Sequence, residues 1–158
     1  MEKRKIAVIR IRGSIRTKHE VEDTFKLLRL HKKNYCIVIE NTPHYIGMLK
    51  KIRYYSTWGE INQATFKELL EKRGKLARKK RLDLQYLKQK TSMDFDTFTK
   101  EFFSFKKSLK DISGIKLFFR LSPPRNGFER KGVKVPFSQG GVLGYRKEKI
   151  NDLIMRMV

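Results

Sequence analysis

A strand pattern opens the chain and governs how the rest of the sequence is arranged. It spans Ile6–Arg12 and reads IAVIRIR. Because side chains alternate across a strand, one face is apolar throughout, while the other begins apolar and turns basic at Arg10 and Arg12. Gly13-Ser14 then breaks the pattern. The sequence therefore begins with a strand that can be buried along its length and is basic at its end.

Helices and strands alternate from this strand to residue 61. Thr17–Glu20 has the spacing of a capping box, which predicts the start of an amphipathic helix. Tyr35–Glu40 is apolar on both faces and predicts a central strand. Thr42, as an N-cap, and Pro43, at the first helical position, predict a second helix. Ile52–Trp58 predicts a third strand. The order β-α-β-α-β indicates a small unit with helices over one face of a sheet.

The second half has the pattern of a helical extension interrupted by a long loop. Asn62 is the expected N-cap of a helix that Gly74 ends. Phe95–Leu109 carries aromatic residues at helical spacing, which predicts one helix with a buried stripe. Ile115–Leu121 predicts a strand, and residues 150–157 predict a C-terminal amphipathic helix. We therefore divide the chain into a core, residues 1–61, and an extension packed on it, residues 62–158.

The charge of the chain is its strongest functional signal. It holds 38 Lys and Arg against 16 Asp and Glu in 158 residues, a net charge of +22. A compact fold that bears this much self-repulsion usually has a polyanionic partner. Nucleic acid is the leading candidate and a membrane surface is the second, because basic amphipathic helices also bind anionic lipid. A very soluble enzyme is third.

The cellular compartment follows from the single cysteine and the apolar runs. Cys36 cannot form an intramolecular disulfide and lies in an apolar run, so we expect a buried, inert thiol in a reducing interior. No signal peptide is recognisable, and no run approaches the roughly 20 apolar residues of a membrane span. These patterns predict a cytoplasmic protein with no membrane partner.

Basic residues concentrate in three segments. In the stretch 72–81, seven of ten residues are Lys or Arg with no interleaved acid, so phosphate contact is favoured over a merely solvated helix face. The long loop 122–146 combines Pro, Gly and spaced cations, which favours an ordered segment inserted into RNA. The predicted RNA-binding residues are Arg10, Arg12, Arg16 and Lys18 at the first turn; Arg73, Arg78, Lys79, Lys80 and Arg81 in the basic run; and Arg125, Arg130, Lys131, Lys134 and Arg146 in the loop.

The sequence offers no constellation for catalysis or metal binding. The three histidines have no metal-ligand spacing, and a Gly-Lys pair at Gly74 lacks the remaining P-loop residues. Gly141–Gly144 spells GxxG but follows a loop instead of joining two helices. We therefore expect a non-enzymatic protein with no cofactor, no metal and no small-molecule substrate.

The sequence also resembles a ribosomal protein family, called L-thirty in bacteria and archaea and L-seven in eukaryotes. The resemblance covers essentially the whole chain, and its most specific part is the proline-glycine loop. In that loop Asn126 stands where we expect glycine. The matching segments are Ile9–Gly13 (IRIRG), Glu40–Pro43 (ENTP), Tyr45–Met48 (YIGM), Trp58-Gly59, Leu121–Phe128 (LSPPRNGF), Gln139–Gly144 (QGGVLG) and Ile150–Met157 (INDLIMRM).

The resemblance implies both a fold and a place in the cell. It implies an α+β fold whose β-α-β-α-β core has a three-stranded antiparallel sheet, similar to a split ferredoxin-like fold. It implies a structural constituent of the large ribosomal subunit that binds 23S rRNA, near the 5S rRNA and neighbouring ribosomal proteins. The second half, together with the lack of a long basic N-terminal arm, implies an archaeal source.

Two other classes of function remain open from the sequence. A free RNA- or DNA-binding protein outside the ribosome would explain the charge equally well, and a duplex-versus-RNA competition would separate it. An RNA-modifying enzyme would need a cofactor cleft, for which no glycine-rich fingerprint is present.

Overall fold

The protein is described by a computed structural model over residues 3–77 and 80–158. It is an α+β fold built on one mixed sheet with strand order β4-β2-β1-β3-β5. The strands are β1 (Lys5–Arg10), β2 (Tyr35–Glu40), β3 (Ser56–Glu60), β4 (Phe119–Arg120) and β5 (Gly144–Tyr145). The helices are α1 (His19–Leu27), α2 (Pro43–Lys51), α3 (Gln63–Arg73), α4 (Leu84–Thr91), α5 (Phe95–Phe103) and α6 (Ile150–Met157).

The sheet is wider than the resemblance implies. β1 is antiparallel to β2 on one side, with Lys5 opposite Glu40, and to β3 on the other, with Ile6 opposite Glu60. These three strands form the middle of the sheet. Two-residue strands from the second half extend both edges: β4 pairs antiparallel with β2, and β5 pairs parallel with β3. Over residues 3–77 and 80–158 the sheet therefore has five strands, where three were predicted for the core.

The alternation along β1 produces two hydrophobic cores, one on each face of the sheet. Ile6 and Val8 pack with α1 and α2. Ala7 and Ile9 pack against α3, α5 and α6. Since β1 contributes to both cores, the sheet is a layer between two helical layers. The predicted division of the chain at residue 61 stays a prediction.

Several local signals in the sequence are confirmed. The hydroxyl of Thr42 accepts a hydrogen bond from Tyr45 N–H at 3.3 Å, and the amide oxygen of Asn62 accepts one from Thr65 N–H at 2.8 Å. Gly74 follows the last residue of α3. The apolar residues of α6 at helical spacing, Ile150, Leu153, Ile154 and Met157, are fully buried, and such burial stabilises a fold by roughly 1.5–3 kcal/mol per large side chain.

The predicted capping box at Thr17–Glu20 is wrong. Helix α1 begins at His19 with Lys18 as its N-cap, and no side chain caps it. The chain reaches α1 through a turn in which Arg16 has φ 56° and Thr17 N–H donates to the Ser14 carbonyl. This turn places Thr17 one residue too early to cap, and its hydroxyl donates to the Gly13 carbonyl instead.

Three element boundaries also differ from the predictions. β3 starts only at Ser56, because the preceding residues form a turn in which Tyr55 N–H donates to the Ile52 carbonyl. The aromatic stripe is not one helix: α5 ends at Phe103, and Leu109 lies in a separate 3-10 turn. In the predicted strand Ile115–Leu121, only the two residues of β4 form a strand, and Ile115 makes an isolated antiparallel bridge with Leu76.

Candidate nucleic-acid interface

The first basic segment is a turn between β1 and α1. Its cations Arg16 and Lys18 are exposed, whereas Arg12 is half-buried. The Arg12 guanidinium donates to the Tyr54 carbonyl at 3.2 Å and lies over the Tyr55 ring at 5.1 Å. These contacts fix Arg12 at the end of the sheet where β1 finishes and β3 begins. We call this the basic end of the sheet.

The long loop, predicted over residues 122–146, is bounded in the structure by β4 and β5 at residues 121–143, and it starts and finishes at the basic end. Leu121 N–H, just after β4, donates to the Asn34 carbonyl, and Asn34 N–H donates to the Arg10 carbonyl. At the other edge Gly144, the first residue of β5, lies opposite Thr57 near the start of β3. The loop therefore joins the two sheet edges on the side where β1 ends.

The loop is anchored by buried residues and by close backbone packing. Val142 and Leu143 are buried in the same core as α6. A Cβ on Gly141 would lie 2.1 Å from the Val135 carbonyl oxygen, so only glycine fits there. Asn126, where we expected glycine, adopts φ 62°, a left-handed conformation that asparagine tolerates. The loop is thus held in one conformation while its cations remain exposed.

The basic run 72–81 starts at the end of α3 and folds back on itself. Lys75 and Arg81 face each other in an antiparallel bridge, and Leu76 and Leu82 are buried beneath them. Arg73 donates to Ser122 Oγ at 2.7 Å and to the Val158 carbonyl at 2.9 Å, which ties this segment to the beginning of the loop. Arg78 and Lys79 lie outside the described residues.

The structure thus brings the three basic segments together through shared hydrogen bonds. Asn34 links the first strand to the loop, and Ser122 links the loop to α3. Arg73, however, is half-buried, and its Nη2 already donates to atoms of the chain. The predicted site residues that are exposed are Arg16, Lys18, Lys80, Arg81, Arg125, Arg130, Lys131 and Lys134.

Arg10 is buried and its guanidinium bonds within the chain. It donates to the carbonyls of Arg12 (3.0 Å), Leu30 (2.7 Å) and His31 (3.1 Å) and to Ser14 Oγ (2.7 Å). Burial lowers the pKa of this guanidinium, and the charge of Glu22 partly offsets the effect. The structure therefore gives Arg10 a structural role, holding the basic turn on the end of β1.

Arg146 is also buried and also bonds within the chain. Its guanidinium donates to Glu129 at 2.7 and 3.4 Å, to Thr57 Oγ1 at 2.8 Å and to the Val142 carbonyl at 2.8 Å. The Phe137 ring lies 4.8 Å from the guanidinium carbon. Arg146 therefore fastens the loop to β3, which is a structural role distinct from the phosphate contact expected from the sequence.

Three cations of the basic end were not among the predicted site residues. Lys32 and Lys33 are exposed just before β2, and the Lys33 side chain lies beside Gly13 of the basic turn. Arg120 is exposed in β4, with its guanidinium 5.5 Å from the Tyr35 ring centre. The only signal for the lysines was their place after a helix, where the helix dipole already accounts for them.

The remaining titratable groups show no catalytic arrangement. Burial raises the pKa of the Cys36 thiol, which agrees with the expected inert cysteine. Within residues 3–77 and 80–158, no three His, Cys, Asp or Glu side chains converge as metal ligands. None of the helices described there is long and apolar enough to cross a membrane.

Comparison with known proteins gives a family match in the first half and full-length relatives. Residues 6–55 match the model of the family described as "Ribosomal protein L30p/L7e". A protein named "Large ribosomal subunit protein uL30" from Nanoarchaeum equitans is 47% identical over 152 residues, covering 96% of this chain and 97% of the relative. The chain belongs to the L30p/L7e family.

Two further relatives with the same name extend the match to both halves of the chain. The uL30 of Methanococcus vannielii is 46% identical over 96% of this chain and 98% of its own length. The uL30 of Methanopyrus kandleri is 42% identical over 94% of this chain and 100% of its own length. Because these archaeal uL30 proteins align beyond residue 55, the long loop and α6 are part of what this L30p/L7e chain shares with them.

Proposed function

We propose that this chain is a structural constituent of the large ribosomal subunit in the cytoplasm and that its basic end binds large-subunit rRNA. The observation that carries the proposal is the near-complete alignment with archaeal proteins named for that subunit. The net charge of +22 supplies the physical reason for a polyanionic partner. The protein acts in translation by stabilising folded rRNA and not by catalysis.

The arrangement of the basic end supports phosphate contact. Lys and Arg that neutralise phosphates release counterions, and this release dominates affinity for nucleic acid. The internal bonds of Arg10 and Arg146 hold the turn and the loop, so neighbouring exposed cations stand at fixed separations. Such a surface recognises the shape of RNA and the path of its phosphates more than individual bases.

The residues proposed to contact rRNA are cations that the structure leaves accessible at the basic end. Arg73 contributes mainly by tying α3 to the loop. Arg78 and Lys79 stay proposals from the sequence. The proposed contact residues are Arg12, Arg16, Lys18, Lys32, Lys33, Lys80, Arg81, Arg120, Arg125, Arg130, Lys131 and Lys134.

The proposed partners are 23S rRNA, a position near the 5S rRNA, and neighbouring ribosomal proteins. The family resemblance supports these partners, and the charge agrees with them. In the same proposal residues 1–61 form the rRNA-binding core and residues 62–158 an extension packed on it. Both parts contribute cations to the basic end.

Sedimentation of a native cell extract tests the proposal. We expect the chain to travel with the large subunit through a sucrose gradient and to remain after a moderate-salt wash. Recovery at the top of the gradient would contradict the ribosomal assignment and favour a free nucleic-acid-binding protein. Competition between structured RNA and duplex DNA at equal salt would then identify the preferred nucleic acid.

A pair of charge variants tests whether the basic end is the RNA surface. We expect the double substitution Lys131→Gln and Lys134→Gln to lower the salt dependence of rRNA binding, log Kd against log salt, by roughly 1 to 2. The matched control, Lys100→Gln with Lys106→Gln, removes the same charge from exposed positions in and after α5. Equal effects of the two pairs would show that net charge, and not the basic end, controls binding.

A further inference from the structure

The outer edge of β2 is open over most of its length. β4 pairs only with Tyr35 and Cys36, at the beginning of the strand. Among the described residues no strand lies beside the outer edge of residues 37–40. An open edge of this kind presents backbone donors and acceptors to which another extended chain can pair.

The ladder between β1 and β2 shows which backbone groups are available. The register of β1 and β2 places Arg4 opposite Asn41, and Asn41 N–H donates to the Arg4 carbonyl at 2.9 Å. These two residues are therefore a hydrogen-bonded pair of the ladder. Because such pairs alternate along antiparallel strands, Ile39 and Ile37 also turn their N–H and C=O toward β1. Val38 therefore turns its N–H and C=O away from β1, toward the open edge.

A cleft of about 490 Å³ runs along this edge. Its floor includes Val38, one wall comes from the end of α1 with Leu27 and Arg29, and the other from Leu109 and Lys110 after α5. Glu40, at the end of β2, also lines it, and we call the space between these six residues the edge cleft. Its walls come from both helical layers, so a strand added to β2 would be enclosed on both faces.

Leu27 marks the edge cleft as a contact surface for an apolar group. Its side chain is 75% exposed, although it lies next to Leu28, which is buried. A large apolar side chain exposed at the mouth of a cleft beside an open strand is suited to pack against a side chain of an added strand. A strand of alternating residues can present such a side chain every second position.

The charged side chains of the edge cleft indicate the charge of the segment that it could bind. Among the described residues, Glu40 is the one acidic residue that lines the edge cleft, and its carboxylate is paired with Lys5 Nζ at 3.1 Å. Arg29 and Lys110 form no ion pair within residues 3–77 and 80–158. The unneutralised walls are therefore basic and favour a partner segment with acidic side chains.

We propose that the edge cleft binds an extended segment of a neighbouring protein that carries apolar and acidic side chains. The segment adds a strand beside β2, exchanges backbone hydrogen bonds with Val38, packs on Leu27 and pairs its carboxylates with Arg29 and Lys110. RNA fits this site less well, because its phosphates and 2′-hydroxyls do not reproduce the N–H and C=O groups of a paired strand and it has no aliphatic side chain to pack on Leu27. The neighbour is a protein of the large subunit, and to that extent the proposal rests on the proposed function.

Photo-cross-linking in intact large subunits tests the proposal. Leu27 is replaced by p-benzoylphenylalanine in the full chain, particles are purified by sedimentation and irradiated, and the attached peptide or nucleotide is identified by mass spectrometry. We expect one main cross-link to an extended protein segment with acidic residues. Adding Lys110→Glu should lower its yield at least threefold, whereas Lys106→Glu, an exposed charge outside the cleft, should leave it unchanged.

The other outcomes separate the two proposals. Normal incorporation with a cross-link only to rRNA, or with no cross-link, would overturn the peptide site and leave the ribosomal function intact. A protein cross-link that is indifferent to Lys110→Glu would overturn the assigned orientation and charge pairing. Failure of the unsubstituted chain to enter the large subunit would overturn the proposed function, and the peptide site would fall with it.

Discussion

Replacing Arg146 by methionine should lower the free energy of unfolding of the isolated chain by about 3 kcal/mol. The buried guanidinium bonds to Glu129, Thr57 Oγ1 and the Val142 carbonyl. Methionine fills comparable volume but donates nothing, so the Glu129 carboxylate loses its closest charge partner. Breaking a buried pair costs about 3–5 kcal/mol, and the lower value applies because Glu129 is 21% exposed and also lies 3.6 Å from Arg156.

Urea unfolding of the free protein measures this effect. With an m-value of roughly 2 kcal/mol/M, the midpoint should fall by roughly 1 to 2 M while m stays constant. Arg130→Met is the matched control: its side chain is exposed, so stability should change by less than about 0.5 kcal/mol. Conversely, Arg130→Met should reduce the salt dependence of rRNA binding by about 1, which Arg146→Met should not. An unchanged urea midpoint for Arg146→Met, together with a weakened salt dependence, would refute the structural role of Arg146.

Three further perturbations address the cap, the core and a titrating group. Thr42→Ala removes the acceptor for Tyr45 N–H and should cost about 1 kcal/mol in urea unfolding, while Thr42→Ser should cost little. Ile154→Ala, at a fully buried position, should cost about 2–5 kcal/mol, whereas Met155→Ala on the exposed face should change stability by under about 0.5 kcal/mol; equal losses would contradict the burial of this face. Burial, followed by a hydrogen bond to a carboxylate, raises the pKa of Tyr145 to about 12, so its stabilising contribution is present below pH 10 and lost as the pH rises through 12. Phenolate absorbance should titrate accordingly, and a midpoint near 10 that is removed by Tyr145→Phe would contradict this environment.

The elements that the sequence predicted well are those specified by local pattern. The alternation in Ile6–Arg12 predicted a strand, and β1 forms there over Lys5–Arg10. Residues 150–157 form the expected amphipathic helix, and Thr42 caps α2. Each of these features depends on residues that are close together in the sequence, so the local sequence pattern is sufficient to predict it.

The elements that the sequence missed depend on distant partners. β4 and β5 are two residues each, and only pairing with β2 and β3 makes them strands. Helix α5 ends at Phe103 because the chain turns there, with Phe105 at φ 60°, although the aromatic spacing continues. The hydrophobic pattern predicts that these rings are buried but cannot predict that the helix is continuous.

The same limit explains why the sequence did not show that Arg10 and Arg146 are buried and bonded within the chain. An arginine in a basic sequence has the same local signal whether it faces solvent or the interior. Arg146 is buried because Thr57, 89 residues away, and Glu129 complete a site for its guanidinium. Composition and spacing contain no information about partners that are so distant in the sequence. The burial of Arg146 therefore follows from the fold and not from its local sequence.

The excess positive charge of the chain is concentrated at one end of the sheet. At the start of β1, Lys5 lies opposite Glu40 and forms an ion pair with it, and the next residue, Ile6, lies opposite Glu60. Positive and negative side-chain charges therefore offset each other at this end of the sheet. At the other end of β1 the adjoining turns, residues 11–18, 28–34 and 52–55, carry Lys and Arg but no Asp or Glu. Two strands run antiparallel to β1, and their carboxyl ends carry these acids while their amino ends follow the basic turns. The strand directions therefore place the acidic side chains at one end of the sheet and the basic side chains at the other. A surface with this charge distribution is attracted to a polyanion through its basic end.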